Sequence, residues 1–461
     1  MTHYHWRRRV QTVPMVVLLV PLVAFILLCH YTRRPFNLLR DTECDTVDSL
    51  RTYAFILQGQ PRQAGQSLRF DASLAHRSNG RVYLYFTRDS ACTHLHAGDT
   101  VTARTRIRRG QRLGAFDYGM WLRRNGYIGT ARVVRYSLRP AHGPVAPSLQ
   151  QRLYARLAQA GLDGDEKAVV GALTLGCKED LDPQLRRHFQ ASGAAHILAV
   201  SGLHTGIIYT VLMGLLTLGG RVRPMHENRL GRAALGLSVI AVMWLYAYIT
   251  DMTPSVVRAV LMITLFETGH VFYRRAVTLD TIAAAAFFIL LARPLDLWSV
   301  SFWLSFTATV AIVVFAKAAE LFTHRLKWKD TAVGKGLNWL VGTVVISLAA
   351  QVGTLPVTLY CFGQFSTYFL LANILVLPLA ALLVPCGMAC IALGGSAPGL
   401  VAGRITHTLA CLMNNAVQAI ENLPGSTVHA SADLGMVVLY YALLAVLALL
   451  IKQTINAYRK Y

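Results

Sequence analysis

Hydrophobic and polar positions follow three patterns in turn along the chain. Between Arg9 and Arg33 lie 23 residues without an Asp, Glu, Lys or Arg, enough for one helix across a bilayer, which takes about 20 residues. From about Leu50 to Val134 the apolar runs shorten and alternate, as in Val82-Tyr83-Leu84-Tyr85-Phe86 and Val101-Thr102-Ala103-Arg104-Thr105-Arg106-Ile107. That period of two predicts strands, with turns at Ser78-Asn79-Gly80 and Ala97-Gly98-Asp99. About five or six short strands in one segment predict a small β-barrel, for which the oligonucleotide-binding type is one option. Pro140, Pro144 and Pro147 then mark a linker. Beyond it the apolar blocks predict nine further membrane helices, centred near Gly206, Ile240, Met262, Ala285, Thr307, Ser347, Leu379, Ala410 and Ala445.

Composition and charge turn this pattern into a topology. The 461 residues are 54% hydrophobic and only 15% charged, against roughly 25% charge in an ordinary soluble domain, which excludes a soluble globule and a disordered chain. Residues 31–140 hold 19 Arg, no Lys and 8 acids, a net +11. Arg7, Arg8 and Arg9 precede the first apolar run, and Ile26-Leu27-Leu28 before Cys29 offers no small-residue cleavage site, so the run reads as an uncleaved first helix with a cytoplasmic N-terminus. Basic loops carrying Arg221, Arg223, Arg229 and Arg232, then Arg274 and Arg275, then Arg325, Lys327, Lys329 and Lys335, alternate with loops poor in Lys and Arg, and the tail ends in Arg459 and Lys460. Because cytoplasmic loops collect Lys and Arg, the alternation predicts about ten helices with both termini inside and the barrel outside. The expected organisation is a first transmembrane helix (1–32), a basic extracytoplasmic barrel (33–140), a linker (141–160) and a helical channel domain (161–461) in a multi-pass protein of the inner membrane. The fold class is mostly α: a polytopic helix bundle with an N-terminal small β-barrel.

Candidate chemistry concentrates in a few stretches. His196-Ile197-Leu198-Ala199-Val200-Ser201-Gly202-Leu203-His204-Thr205-Gly206 carries two His and a Ser into an apolar run, where Ser201 and His204 share a face at helical spacing. Such a face either packs through hydrogen bonds and glycine contacts or lines a polar path. Asp251-Met252-Thr253-Pro254 reads as a turn that re-enters the membrane with Arg258 one turn later. An intramembrane Arg must face the bundle interior or water unless it snorkels, and Asp251 and Glu267 are its candidate partners. Gln351, Thr354 and Asn373 add polar groups at membrane depth. In the barrel, Arg104, Arg106, Arg108, Arg109 and Arg112 lie on and after one strand, near Tyr83, Tyr85 and Phe86. Arg pairs bidentately with phosphate, so this face fits single-stranded nucleic acid, anionic lipid headgroups or plain solvation. Cys44 and Cys92 are a candidate disulfide, Cys386 and Cys390 read as small core residues, and His94, His96 and Asp99 read as a turn, with no metal or cofactor expected.

Five ordered stretches resemble the ComEC-type competence family: His196 to Gly206, Pro254 to Met262 (PSVVRAVLM), Arg293 to Phe306 (RPLDLWSVSFWLSF), Gly353 to Pro356 with Phe362 to Phe365 (GTLP, FGQF), and Ala372 to Pro378 (ANILVLP). Phe116 to Val133 resembles the end of that family's N-terminal barrel, which is of the oligonucleotide-binding type. The resemblance implies an inner-membrane channel that passes single-stranded DNA into the cytoplasm during natural transformation. It carries a pore-lining role onto His196, Ser201, His204 and Arg258 and DNA contact onto the barrel arginines, and Gly202, Asp251 and Gln351 are further candidates for the translocation path. Longer family members carry a metallo-hydrolase domain after the last helices, and its His-x-His-x-Asp-His ligand run is absent here. The expectation is therefore a short form that is not an enzyme and relies on a separate nuclease. No Walker-type phosphate loop is present, so a cytoplasmic ATPase motor and a periplasmic DNA receptor are the expected partners, beside membrane lipids and a second copy of the chain. A small-anion secondary transporter and, more distantly, an intramembrane serine hydrolase built on Ser201 and His204 are the competing readings.

Overall fold

The computed structural model describes residues 15–31, 50–64, 67–75, 80–87, 95–110, 112–113, 116–140, 147–217, 229–271, 279–325 and 331–458. They divide into two compact units, Val23–Pro147 and a helical unit of Met1–Leu22 with Ser148–Tyr461. Cys44, Cys92 and His94 lie outside the described residues, as does the turn Ser78-Asn79.

The smaller unit is a closed barrel. Its strands are β1 (Leu50–Ala64), β2 (Ser67–Leu74), β3 (Arg81–Thr87), β4 (Thr100–Arg108) and β7 (Tyr127–Val133), with the short hairpin β5 (Arg112–Leu113) and β6 (Phe116–Asp117), helix α2 (Tyr118–Arg124) and β8 (Tyr136–Arg139). The ring runs β1-β2-β3-β7-β4 and returns from β4 to β1, while β8 extends the β4 edge. Among the described residues only the β3–β7 pairing is parallel. Alternation settles which side is which: Val101, Ala103 and Ile107 face a core with Phe55, Leu57, Phe70, Leu84 and Phe86, while Arg104, Arg106 and Arg108 point out. Closure between β4 and β7 rests on two pairs, Ile107↔Ala131 and Arg108↔Thr130. It needs Gly129, whose added Cβ would stand 2.5 Å from the Arg108 carbonyl oxygen.

The larger unit is helical. After α1 (Met15–Tyr31), the helices α3 (Leu149–Gln159), α4 (Gly164–Thr174) and α5 (Pro183–Ala191) precede nine longer ones among the described residues: α6 (Gly202–Thr217), α7 (Arg229–Ile249), α8 (Pro254–Val271), α9 (Leu279–Ala292), α10 (Val300–Arg325), α11 (Ala332–Phe362), α12 (Phe369–Leu393), α13 (Ala397–Glu421) and α14 (Leu434–Tyr458). Each of the nine expected centres falls inside one of them. Three, over Leu230–Ile249, Val333–Phe362 and Phe369–Leu393, are long and apolar enough to cross a membrane, and Gly202–Leu216, Leu279–Ala292, Val300–Phe315 and Leu434–Leu450 are shorter apolar segments. Part of the expected linker is helical: Ser148 and Gln151 form a reciprocal capping box that starts α3.

Small residues set the helix contacts. A Cβ on Gly403 would lie 1.8 Å from the Ala160 carbonyl oxygen, and one on Gly353 2.6 Å from that of Thr307, so α13 meets the end of α3, and α11 meets α10, at backbone distance. The main core joins Val169, Val170 and Leu173 of α4 with Val384 of α12 and Ala410, Met413 and Val417 of α13. A short ladder, β9 (Gln364–Ser366) with β10 (Thr427–His429), closes the chain between α11 and α12 onto the loop after α13.

Candidate functional site

Stretches separated by up to about 190 residues in sequence meet at one place in the helical unit, around the non-helical segment 194–201 that leads into α6. The Val200 carbonyl accepts from Ser255 Oγ at 2.5 Å, at the start of α8. An added Cβ on Gly176 would lie 3.5 Å from Val200 Cγ2, and one on Gly202 3.9 Å from Ala259 Cβ. Gly193, with φ of 86°, packs against Ser366 and Phe369 of the FGQF region, where its left-handed backbone and a Cβ clearance of 3.0 Å both demand glycine.

Ser201 and His204 come together, but at a helix end and not along a helix face. The Ser201 backbone N–H donates to His204 Nδ1 at 3.1 Å, Ser201 Oγ lies 3.3 Å from the same nitrogen, and Thr205 Oγ1 donates to the Ser201 carbonyl. The face-sharing expectation fails because 196–201 is irregular and α6 begins only at Gly202. His204 thus takes the place of the acid in a capping box. Its ring is fully buried and its Nε2 has no hydrogen-bond partner. With Nδ1 accepting, Nε2 carries the proton, leaving a buried donor at the mouth of the helix. His196 is exposed in the loop, its Nδ1 3.2 Å from the Gly193 carbonyl.

Arg258 sits on the second turn of α8 and is 4% exposed, which removes the snorkelling reading. Its Nη2 donates to Ser301 Oγ at 2.8 Å, and it lines a cavity of about 210 Å³ with Trp244, Pro254, Phe288, Arg293 and Asp296. Neither expected acid pairs with it. Asp251 is exposed in the α7–α8 turn, where it and Met252 adopt φ of 56° and 49°. Glu267 instead accepts from the Tyr209 hydroxyl of α6. Two helical turns beyond Arg258 in sequence order, an acid cannot double back past the intervening side chains, whereas the 3₁₀ turn Pro294–Trp298 delivers buried Asp296 to the cavity. Arg293 Nε and Asp296 Oδ2 are 4.0 Å apart. Sequence reading missed Arg293, Asp296 and Ser301 as site residues. Their signal was present, since all three belong to the Arg293 to Phe306 stretch, but nothing local says which helix they face. Gln351 is half-buried on α11, and Asn373 Oδ1 on α12 is buried without a partner.

On the barrel, Arg104, Arg106 and Arg108 project from alternate positions of β4, followed by exposed Arg109, and Arg132 of β7 is exposed on the neighbouring strand. Arg112 opens β5, and its side chain lies outside the described residues. Of the neighbouring aromatics Tyr85 is half-buried, and Tyr83 and Phe86 are not offered to a ligand. Phe86 is in the core, and Tyr83 is stacked between Tyr127 (centroids 3.9 Å) and Trp121 (6.2 Å) beneath α2, capped by Arg69 at 4.6 Å. Burial pushes the Tyr83, Tyr118 and Tyr127 phenols above their ordinary value, so the stack stays neutral. The nearby Asp99 Oδ2 accepts from the His96 backbone N–H at 2.8 Å, in keeping with a turn entering β4.

Three helices long and apolar enough to cross a membrane, together with a barrel that carries an outward arginine row, define a membrane protein with a basic barrel. The family model described as "Competence protein" matches residues 173–454, and the chain belongs to that family. Among named relatives, it is 29% identical over 250 residues to ComE operon protein 3 of Bacillus subtilis, covering 54% of this chain and 27% of that protein. It is 26% identical over 287 residues to competence protein ComA of Neisseria gonorrhoeae (59% and 40%), and 25% identical over 218 residues to recombination protein 2 of Haemophilus influenzae (46% and 27%). The matches span 27% to 40% of the length of these curated relatives. No solved structure matches the chain.

Proposed function

We propose that the chain conducts single-stranded DNA across the inner membrane during natural competence, as a conduit and not as an enzyme. The observation that carries this reading is Arg258: a cation held almost out of solvent, hydrogen-bonded to Ser301 and beside a largely apolar cavity into which Arg293 and Asp296 also reach, on the stretches that identify the family. A pore for a polyanion must replace phosphate hydration with fixed cationic and polar groups, and Arg258, Arg293, His204 and Ser201 supply them. The barrel gathers the substrate first. Its strand order and single parallel pairing match an oligonucleotide-binding barrel, and its arginine row would release counterions from the phosphate backbone. The remaining helices complete a bundle of about ten spans, an ATPase supplies the pulling force from the cytoplasmic side, and a separate nuclease removes the other strand.

The test separates arrival of labelled DNA in the envelope from its arrival in the cytoplasm, in a transformable deletion strain carrying wild type, Arg258→Ala or His204→Ala. Wild type should restore cytoplasmic DNA and transformants, and Arg258→Ala should leave DNA outside the inner membrane. Unchanged cytoplasmic uptake in the deletion strain would refute the proposal. Uptake lost only for small anions would move the assignment to a secondary transporter.

A further inference from the structure

A third cluster of reactive side chains, in the helical unit and made of none of the residues around Arg258, has no part in this function. Glu166 lies in the first turn of α4, and His407 and Cys411 lie one turn apart on α13, 241 and 245 positions further along. Cys411 Sγ is 3.2 Å from Glu166 Oε1 and 3.7 Å from His407 Nε2. One donor atom from each residue lies within 4.8 Å of the other two, and all three side chains are half-buried. We propose that Glu166, His407 and Cys411 form a binding site for a zinc-class divalent cation that clamps α4 to α13.

Three features support an ion over a fortuitous contact. A tetrahedral zinc ion with sulfur at about 2.3 Å and nitrogen or oxygen at about 2.0–2.1 Å holds its ligands about 3.5 Å apart, and the two sulfur distances fall on either side of that value. The donor set is one thiol, one imidazole and one carboxylate, which suits zinc and its neighbours, whereas magnesium and calcium take oxygen alone. The frame is also rigid before any ion arrives. Val169 and Val170 of α4 pack with Ala410 and Met413 of α13, and Gly403 brings α13 against the Ala160 carbonyl. On the same side of α13 as His407 and Cys411 by helical spacing, Asn414 keeps its Oδ1 buried without a hydrogen-bond donor. His407 Nδ1 is likewise buried and unpartnered. The sequence carries little warning of such a site, because a His and a Cys at i and i+4 in an apolar helix read as packing residues and Glu166 reads as a helix N-terminal acid.

The full-length protein, purified in detergent and freed of metal with a chelator, should bind one Co²⁺ per chain with a thiolate-to-cobalt charge-transfer absorption. Zn²⁺ should displace it. Cys411→Ser should abolish the absorption, Glu166→Gln should retain it while weakening Zn²⁺ binding by at least about tenfold, and Cys361→Ser on α11 should change neither. Wild-type protein with intact helical circular dichroism that binds no stoichiometric Co²⁺ would overturn the site, and so would an absorption that survives Cys411→Ser. Either result reduces the cluster to a thiol donating to a carboxylate. If Cys411→Ser does not fold, Glu166→Gln decides: unchanged Zn²⁺ affinity rules the clamp out.

Discussion

The barrel and the helical unit use arginine in opposite ways. On β4, the side chains of Arg104, Arg106 and Arg108 stand in water at every second position, and the barrel core beneath them is formed by the intervening Ala103, Thr105 and Ile107. In α8, Arg258 is enclosed, donates to Ser301 and lines the cavity. A solvated row acts as a sum of weak, screened and interchangeable charges. An enclosed cation acts singly, because removing it or its partner leaves a polar group with nothing to replace water. The same residue type thus gathers a ligand in one region and fixes a position in the other.

Four experiments probe that contrast. The largest effect belongs to Arg258→Ala, expected to cut transformant numbers by at least about a hundredfold while Arg258→Lys recovers little, since Lys lacks the planar fork; equal recovery by Lys would mean that only charge matters there. Next, Gly129→Ala forces a methyl group onto the Arg108 carbonyl and should destabilise the barrel by about 1–3 kcal/mol, read as a lower thermal midpoint of a barrel fragment or of the whole protein by circular dichroism. Replacing Arg104, Arg106, Arg108 and Arg109 together by Gln should weaken single-stranded DNA binding and flatten the log–log salt dependence by about 3, at about 0.7 for each phosphate no longer neutralised. The smallest change is expected from Arg104→Gln alone, about 0.7 in the same slope. A single substitution as damaging as the quadruple one would show that the row reads a specific site, contrary to its solvated setting.

Particular residues show where sequence reading reached and where it stopped. Alternation placed Val101, Ala103 and Ile107 inside and three arginines outside, because a strand's period of two has no second solution once one side is apolar. The same reading offered Tyr83 and Phe86 to a ligand. Phe86 points inward with Val82 and Leu84, as the same period requires, whereas α2 covering Tyr83 could not be seen because that cover comes from elsewhere in the chain. In the helical unit all nine centres were legible from apolar length, yet Ser201 and His204 were assigned to one helix face when the helix begins between them. Apolar runs mark a helix and leave its first turn open, and capping groups fix that end.

The two-part organisation, the barrel's inner and outer faces, the helix positions and the family all follow from the sequence alone, since each rests on local periodicity or on residues in fixed order. Packing between distant segments was needed to decide that Arg258 meets Ser301 and shares a cavity with Asp296 in place of pairing with Asp251 or Glu267, that Ser255 and Ser366 flank one loop, and that Glu166 reaches Cys411. A helix that is apolar on most sides has several faces it could bury. Which one meets which neighbour is chosen by close approaches at Gly353, Gly387 and Gly403, and by the packing those approaches permit over the whole bundle.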